Sequence, residues 1–355
     1  MSSESRTPIL LLDGGLGSTL EDEYHYEFND GTPLWSGQLL VTQPGLLLEA
    51  HTGFAKAGAD VILTATYQVS YEGFSKSGVT EEDARQVARG AVKMAKRAFE
   101  GREGKVALSL GPYGATMLPP QEYGGKYDAY HRTVSQLREW HVRRIGMFCG
   151  PDREVDWDDA RRCWEDVDFV AFETIPLAVE ILAVRETMFI ASKEREEGRG
   201  KEKDFWISCV FPGEGNQLPD GSDVRAVVGA MLGERQNARR PMGIGINCTK
   251  IGKIEWLIEE FESAVKEIVE SGEVKEWPSL VVYPDKTNGQ VYNTTTHKWE
   301  KAEADGTSSA PWDETLFRIV SQAQERGSWK SIFVGGCCKS IASDIANLRK
   351  RIDQR

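Results

Sequence analysis

Eight short apolar runs recur along the chain, at residues 8–12, 61–65, 105–110, 167–172, 205–210, 242–246, 279–283 and 331–334. Runs of this length, apolar on successive positions, predict strands buried on both faces. Longer stretches of helical periodicity lie between most of them, at 43–58, 81–99, 130–148, 157–165, 177–191, 254–269 and 314–325, with a last one at 344–351. Strand and helix in alternation imply a parallel sheet. Eight such units predict a closed (β/α)8 TIM barrel in preference to an open doubly wound sheet. In that fold the active site sits at the carboxyl ends of the strands, so the residues that follow each run become the candidates.

Length and composition narrow the class. The 355 residues allow two domains by size, but α/β barrels reach this length as one unit, so a single domain over 1–355 is expected, with its core at about 8–352. A net charge of −12 with no basic cluster excludes a nucleic-acid surface. No run is long enough to span a membrane. The opening residues are polar and the run at 9–12 stops at Asp13, so no signal peptide is read. Six cysteines without a secretion signal then predict reduced thiols and a cytoplasmic protein. Asn293-Thr294-Thr295 matches a glycosylation acceptor, which in such a chain is chance.

The last run ends in Val334-Gly335-Gly336-Cys337-Cys338. Two thiolates on one turn suit a soft metal ion, and zinc seeks four ligands in a tetrahedron. Gly243-Ile244-Gly245-Ile246-Asn247-Cys248 offers a third sulfur at another strand end. The bland alternative makes all three buried small hydrophobes. Three thiolates on Zn2+ would leave the fourth position open, as in a catalytic site, and would suit a sulfur substrate.

Other strand ends carry polar groups. Asp13-Gly14-Gly15-Leu16-Gly17-Ser18-Thr19-Leu20 lacks the third glycine of a dinucleotide fingerprint, and Asp13 would repel a phosphate. Asp13 reads either as a partner for an ammonium group or as a helix N-cap. Thr64 to Gln68 form a polar cluster, and Glu173 stands at the end of the fourth run. Asp13, Thr64, Glu173, Asn247, Cys248, Cys337 and Cys338 thus fall on one face of the predicted barrel. All five histidines avoid the strand ends, which disfavours histidine-bound zinc. His131 and His141 are expected as solvated helix positions, Cys209 as core, Ser222 as a helix cap and 193–204 as a solvated charged stretch. The loop at 113–127 has the length of a lid or binding loop. Residues 286–310 read as an excursion over the barrel mouth.

Three segments, Asp13-Gly14-Gly15-Leu16-Gly17, Gly245-Ile246-Asn247-Cys248 and Gly335-Gly336-Cys337-Cys338, resemble the signatures of the homocysteine S-methyltransferase family. The resemblance runs from about Leu10 to Ile345. It implies a (β/α)8 barrel in which Cys248, Cys337 and Cys338 bind Zn2+ and the homocysteine sulfur becomes the fourth ligand. It also implies that Asp13 and Glu173 lie near the substrate ammonium, with Gly14, Thr64 and Asn247 in the substrate pocket. The implied reaction is direct methyl transfer to homocysteine, giving methionine.

Betaine-using members carry an aromatic residue after the matching glutamate, where this chain has Thr174, and a longer C-terminal extension. The loop at 118–127, with Glu122-Tyr123-Gly124-Gly125-Lys126-Tyr127, resembles that of S-methylmethionine and S-adenosylmethionine users. A sulfonium donor is therefore expected, with Tyr123 and Tyr127 either near that cation or packing the loop. Lys339 departs from the Gly or Arg common in relatives. A betaine-type donor is the alternative, and a non-catalytic zinc barrel or a thiol redox sensor is the reading from another class.

Overall fold

A computed structural model describes residues 6–29, 31–150, 157–196, 202–293, 298–301 and 310–355. Eight parallel strands form one sheet: β1 (Ile9–Leu11), β2 (Val61–Leu63), β3 (Lys105–Leu110), β4 (Phe169–Ile175), β5 (Asp204–Cys209), β6 (Gly243–Lys250), β7 (Ser279–Asp285) and β8 (Ile332–Val334). β8 pairs with both β7 and β1, with Ile332 opposite Leu280 and Ile9. A parallel bridge from Leu12 to Val61 joins β1 to β2 and closes the ring. The expected (β/α)8 barrel is the observed fold.

Residue parity decides what each strand contributes. Val106, Leu108 and Leu110, like Phe205, Ile207 and Cys209, join the large cluster between sheet and helices. The alternate residues Ala107, Ala171, Trp206, Val281, Tyr283 and Phe333 form a second cluster inside the barrel. Phe169, Trp206 and Phe333 plug the interior, with ring centroids 5.4 to 5.8 Å apart. Burying an indole such as Trp206 stabilises by about 5 kcal/mol before the entropy of ordering it. Gly245 has no room for a side chain: a Cβ there would lie 1.7 Å from the Val281 carbonyl oxygen.

Several elements differ from their sequence reading. β4, β6 and β7 outrun their apolar segments, so Glu173, Asn247 and Cys248 belong to the strands themselves. The pairing of β4 with β5 shifts register between Phe172 and Ile175, and that of β6 with β7 between Asn247 and Lys250. The helix expected from 130 begins at Val134, where Thr133 and Gln136 form a capping box. Asp223, not Ser222, caps the helix Val224–Leu232. Helices Leu16–Asp22 and Tyr71–Lys76 are too short for a periodicity to declare. Asp13 is no N-cap, since Gly15 holds that position without a side-chain bond.

His141 is buried, not solvated, because its Nε2 pairs with the buried Glu180 at 3.0 Å. Cys209 is core, as expected. The excursion after β7 contains an antiparallel hairpin, Gln290–Asn293 with Lys298–Lys301, that polar composition concealed. The rest of that segment, at 294–297 and 302–309, lies outside the described residues, as does 197–201 of the charged stretch. Among the described residues no helix is long and apolar enough to cross a membrane.

Candidate active site

The turn after β8 threads closely against β1 and β7. Gly336 N–H donates to the Asp13 carbonyl at 3.0 Å and Cys337 N–H to the Pro284 carbonyl at 2.9 Å. A Cβ on Gly335 would sit 2.7 Å from the Asp13 carbonyl oxygen, and one on Gly336 would sit 2.1 Å from Ser340 Oγ. Glycine is therefore required for this approach. Lys339 takes a left-handed φ of 64°, a conformation that favours glycine. Its own side chain offsets that strain by an ion pair to Asp22 at 2.7 Å and a position over the Trp299 ring.

Across the mouth, Cys248 lies within the register shift of β6 with φ at 46°. That turn aims its sulfur at the β8 turn. The sulfurs of Cys248, Cys337 and Cys338 all lie within 4.8 Å of one another. Zinc–sulfur bonds of about 2.3 Å in a tetrahedron need sulfur pairs roughly 3.8 Å apart, so the triad fits a thiophilic divalent ion. One difference from the reduced-thiol expectation is that Cys248 and Cys337 are joined as a disulfide, with Cys338 free. Sulfurs gathered closely enough to share an ion are also close enough to bond to each other. Burial pushes the Cys338 thiol up to about 12, although Tyr123 donates a hydrogen bond to it. A thiolate at this position needs a cation beside it.

Below the sulfurs two acids face one another. Asp13 Oδ2 accepts from Leu63 N–H at 2.9 Å. Glu173 accepts from the Ser109 hydroxyl and from the Tyr283 hydroxyl. Burial raises the Asp13 carboxyl well above its ordinary range, and the Glu173 charge adds to the rise. Burial likewise pushes Glu173 up to about 7. Two desolvated carboxyls side by side favour a shared cation. Thr64 Oγ1 is bound to Thr66 Oγ1 at 2.6 Å and accepts from Ser109 N–H at 3.0 Å, so it fixes the wall beside Glu173.

One cavity of about 540 Å3 collects these groups. Asp13, Gly14, Thr64, Glu173, Cys248, Cys337, Cys338 and Tyr123 all line it. Two expected residues do not. Asn247 is wholly buried and spends its amide on Thr174. Tyr127 packs against Leu137 and Leu177 and donates to Glu180 Oε2 at 2.6 Å, so its role is to hold the loop. Tyr123 is 44% exposed as a residue, while its hydroxyl reaches inward to Cys338.

Sequence reasoning missed Ser109, Tyr283, Asp285, Glu122, Trp35, Tyr292 and Trp299, which also line the cavity. Strand parity marks Ser109 and Tyr283 as inward-facing. No local signal marks Trp35 or the hairpin's Tyr292 and Trp299, which meet only in the fold, Trp35 against Tyr292 at 4.8 Å and Tyr292 against Trp299 at 5.2 Å. Burial pushes Glu122 up to about 7 as well. Among the described residues the lining holds four acids, Asp13, Glu122, Glu173 and Asp285, against one basic residue, Lys250.

Comparison with known proteins agrees with this geometry. The family model described as homocysteine S-methyltransferase matches residues 10–352. The chain is 29% identical to a betaine-homocysteine S-methyltransferase of Drosophila melanogaster, over 98% of this chain and 95% of that one. It is 28% identical to homocysteine S-methyltransferase 1 of Zea mays, over 97% and 94%. The metallated form of the homocysteine methyltransferase MmuM from Escherichia coli superposes with a TM-score of 0.66 at 26% identity, over 97% of this chain and 96% of that one. The same protein in its oxidized form superposes with a TM-score of 0.67.

Proposed function

Because the chain belongs to the homocysteine S-methyltransferase family, we propose that it transfers a methyl group from a sulfonium donor, S-methylmethionine or S-adenosylmethionine, to homocysteine, giving methionine. Cys248, Cys337 and Cys338 would hold Zn2+. The observation that carries the reading is the meeting of this sulfur triad with a buried acid pair in one cavity.

Zinc, when bound, supplies the positive charge that keeps a thiol ligand deprotonated at neutral pH. The chain's own residues do the rest. Asp13 and Glu173 take the homocysteine ammonium, and that cation reverses the burial that raises both carboxyls. Ser109 and Tyr283 orient Glu173. The aromatic wall at the mouth sheds water and aligns the donor. The bond from methyl carbon to acceptor sulfur forms as the bond to donor sulfur breaks, and the donor leaves as a neutral thioether. No proton has to be delivered, so the reaction needs no general acid.

Two features support a sulfonium over betaine. The acid excess of the lining favours a donor of net positive charge. Thr174, which stands where betaine users have a ring, is buried and tied to Asn247. The test is methionine formation from homocysteine with S-methylmethionine, S-adenosylmethionine and betaine in parallel, alongside zinc content, with Cys338→Ala as control. Activity with a sulfonium, and loss of zinc and turnover together in the variant, is expected. A zinc-loaded protein inert to every donor would sink the proposal. The Cys248–Cys337 bond favours a second reading as a thiol redox barrel; reversible oxidation in a protein without methyl transfer would select it.

A further inference from the structure

The cavity's acids form two sets. Asp13 and Glu173 lie in each other's field. Glu122 and Asp285 instead act on Cys338 and Tyr123. The first set is accounted for by the ammonium of the acceptor. The second has no assigned task.

Glu122 is held firmly where it stands. Gln121 N–H donates to the Gly114 carbonyl at 2.8 Å, and the Gln121 carbonyl accepts from Gly125 N–H at 2.7 Å. The loop's far end is pinned through Tyr127 on Glu180 at 2.6 Å. Yet Glu122 Oε2 is closed off from solvent and has no hydrogen-bond partner in the protein. Leaving a buried acceptor unpaired costs roughly 1–3 kcal/mol, more for a charged group, and native structures seldom tolerate it. Glu122 itself lines the cavity, and a buried oxygen left unpaired there points to a ligand that brings the missing donor.

The chemistry of the missing donor is restrictive. A sulfonium centre and a quaternary ammonium are cations without an N–H or O–H. Either satisfies a carboxylate's charge but leaves its lone pair unused. A primary ammonium satisfies both. Asp285 adds negative potential to the same cavity while its own Oδ1 is occupied by the Thr287 hydroxyl at 3.1 Å. We propose that Glu122 binds the ammonium group of an amino-acid sulfonium, and so separates donors of the S-methylmethionine class from betaines and from sulfonium acids that lack an amine. The inference rests on the reading of this cavity as a methyltransferase site, and it adds the residue and functional group that select the donor.

Calorimetric binding to the zinc-loaded protein tests it without turnover. The probes are S-methylmethionine, dimethylsulfoniopropionate (a sulfonium acid with no amine), betaine and homocysteine. Glu122→Gln keeps the volume and removes the charge. Loss of a charge-assisted hydrogen bond is expected to weaken S-methylmethionine about tenfold or more. Homocysteine and dimethylsulfoniopropionate should stay within about twofold, and Glu122→Asp should regain part of the loss. The proposal is overturned if the variant loses less than tenfold, if homocysteine weakens equally, or if the wild type fails to prefer S-methylmethionine to the amine-free probes. Selective, Glu122-dependent binding without methionine formation would overturn the methyltransferase reading and leave this assignment standing. Turnover that ignores Glu122 would do the reverse.

Discussion

Asn247 clasps Thr174 from both ends: Thr174 N–H donates to Asn247 Oδ1, and Asn247 Nδ2 donates to Thr174 Oγ1, each at 2.7 Å. The pair ties the irregular end of β4 to that of β6. Glu173 precedes one partner and Cys248 follows the other, so one amide sets the spacing between acid and sulfur. Asn247→Ala removes both bonds and strands a buried N–H. We expect a loss of about 2–4 kcal/mol in stability, read by chemical denaturation, together with weaker zinc binding in a chelator competition. Unchanged zinc affinity would show that the clasp serves only the fold.

The pH behaviour of Glu173 has a definite sign. Burial holds its carboxyl near 7, above the ordinary 4.5. Between those values the folded ligand-free protein binds a proton that the unfolded chain has released, so this group's contribution to stability falls as pH rises through that window. An ammonium ligand favours the ionised form. Homocysteine affinity should therefore rise toward pH 7 and level off above it, with proton release on binding. Isothermal titration in buffers of different ionisation enthalpy measures that release, and Glu173→Gln should remove about one proton from it in the lower part of the range.

Among the described residues Arg144 is a buried cation that no carboxylate bonds. Burial lowers it to about 10, which leaves it charged at neutral pH. It donates to the carbonyls of Thr66, Tyr67, Val69 and Gly111 at 2.5 to 2.9 Å. Three of those carbonyls belong to the loop after β2 that carries Tyr67 and Gln68 to the cavity, and the fourth to the turn after β3. Arg144→Met should cost about 3–5 kcal/mol, since four carbonyls lose the guanidinium together and only those of Thr66 and Tyr67 keep a backbone donor. Protease sensitivity near residues 66–69 would report the loosened loop, and a variant as stable as the wild type would discount the bracing role.

Oxidation and metal binding compete for the same sulfurs. A protein in which Cys248 and Cys337 are bonded retains only Cys338 of the triad. Treatment with a mild oxidant should release zinc and remove two titratable thiols, and a reductant with added zinc should restore both. Cys337→Ser should lose the metal without gaining the oxidant response. Zinc retained after the two thiols disappear would contradict the shared-sulfur arrangement.

The barrel was legible because fully buried strands advertise themselves as apolar runs, and the sulfurs because cysteines at strand ends have few other uses. Ends of strands were harder. β6 runs on to Lys250 because its pairing with β7 resumes after a register shift, which leaves no apolar trace. His141 looked solvated because its neighbours are charged, while Glu180, the partner that buries it, lies on another helix. Asn247 was expected in the substrate pocket and Tyr127 either near the donor cation or packing the loop, and only packing reveals that each spends its polar group inward. Trp35, Tyr292 and Trp299 are distant in sequence and meet only through the hairpin.

Apart from its single bridge to β2, β1 gains a paired barrel neighbour only when β8 is present. The same seam joins Asp13 to the turn bearing Cys337 and Cys338. During synthesis the amino-terminal acid waits for nearly the whole chain to emerge before its sulfur partners exist. No shorter nascent fragment carries a competent site. A ribosome stalled before residue 332 would hold a chain rich in finished helices that can neither seal its edge nor capture the metal.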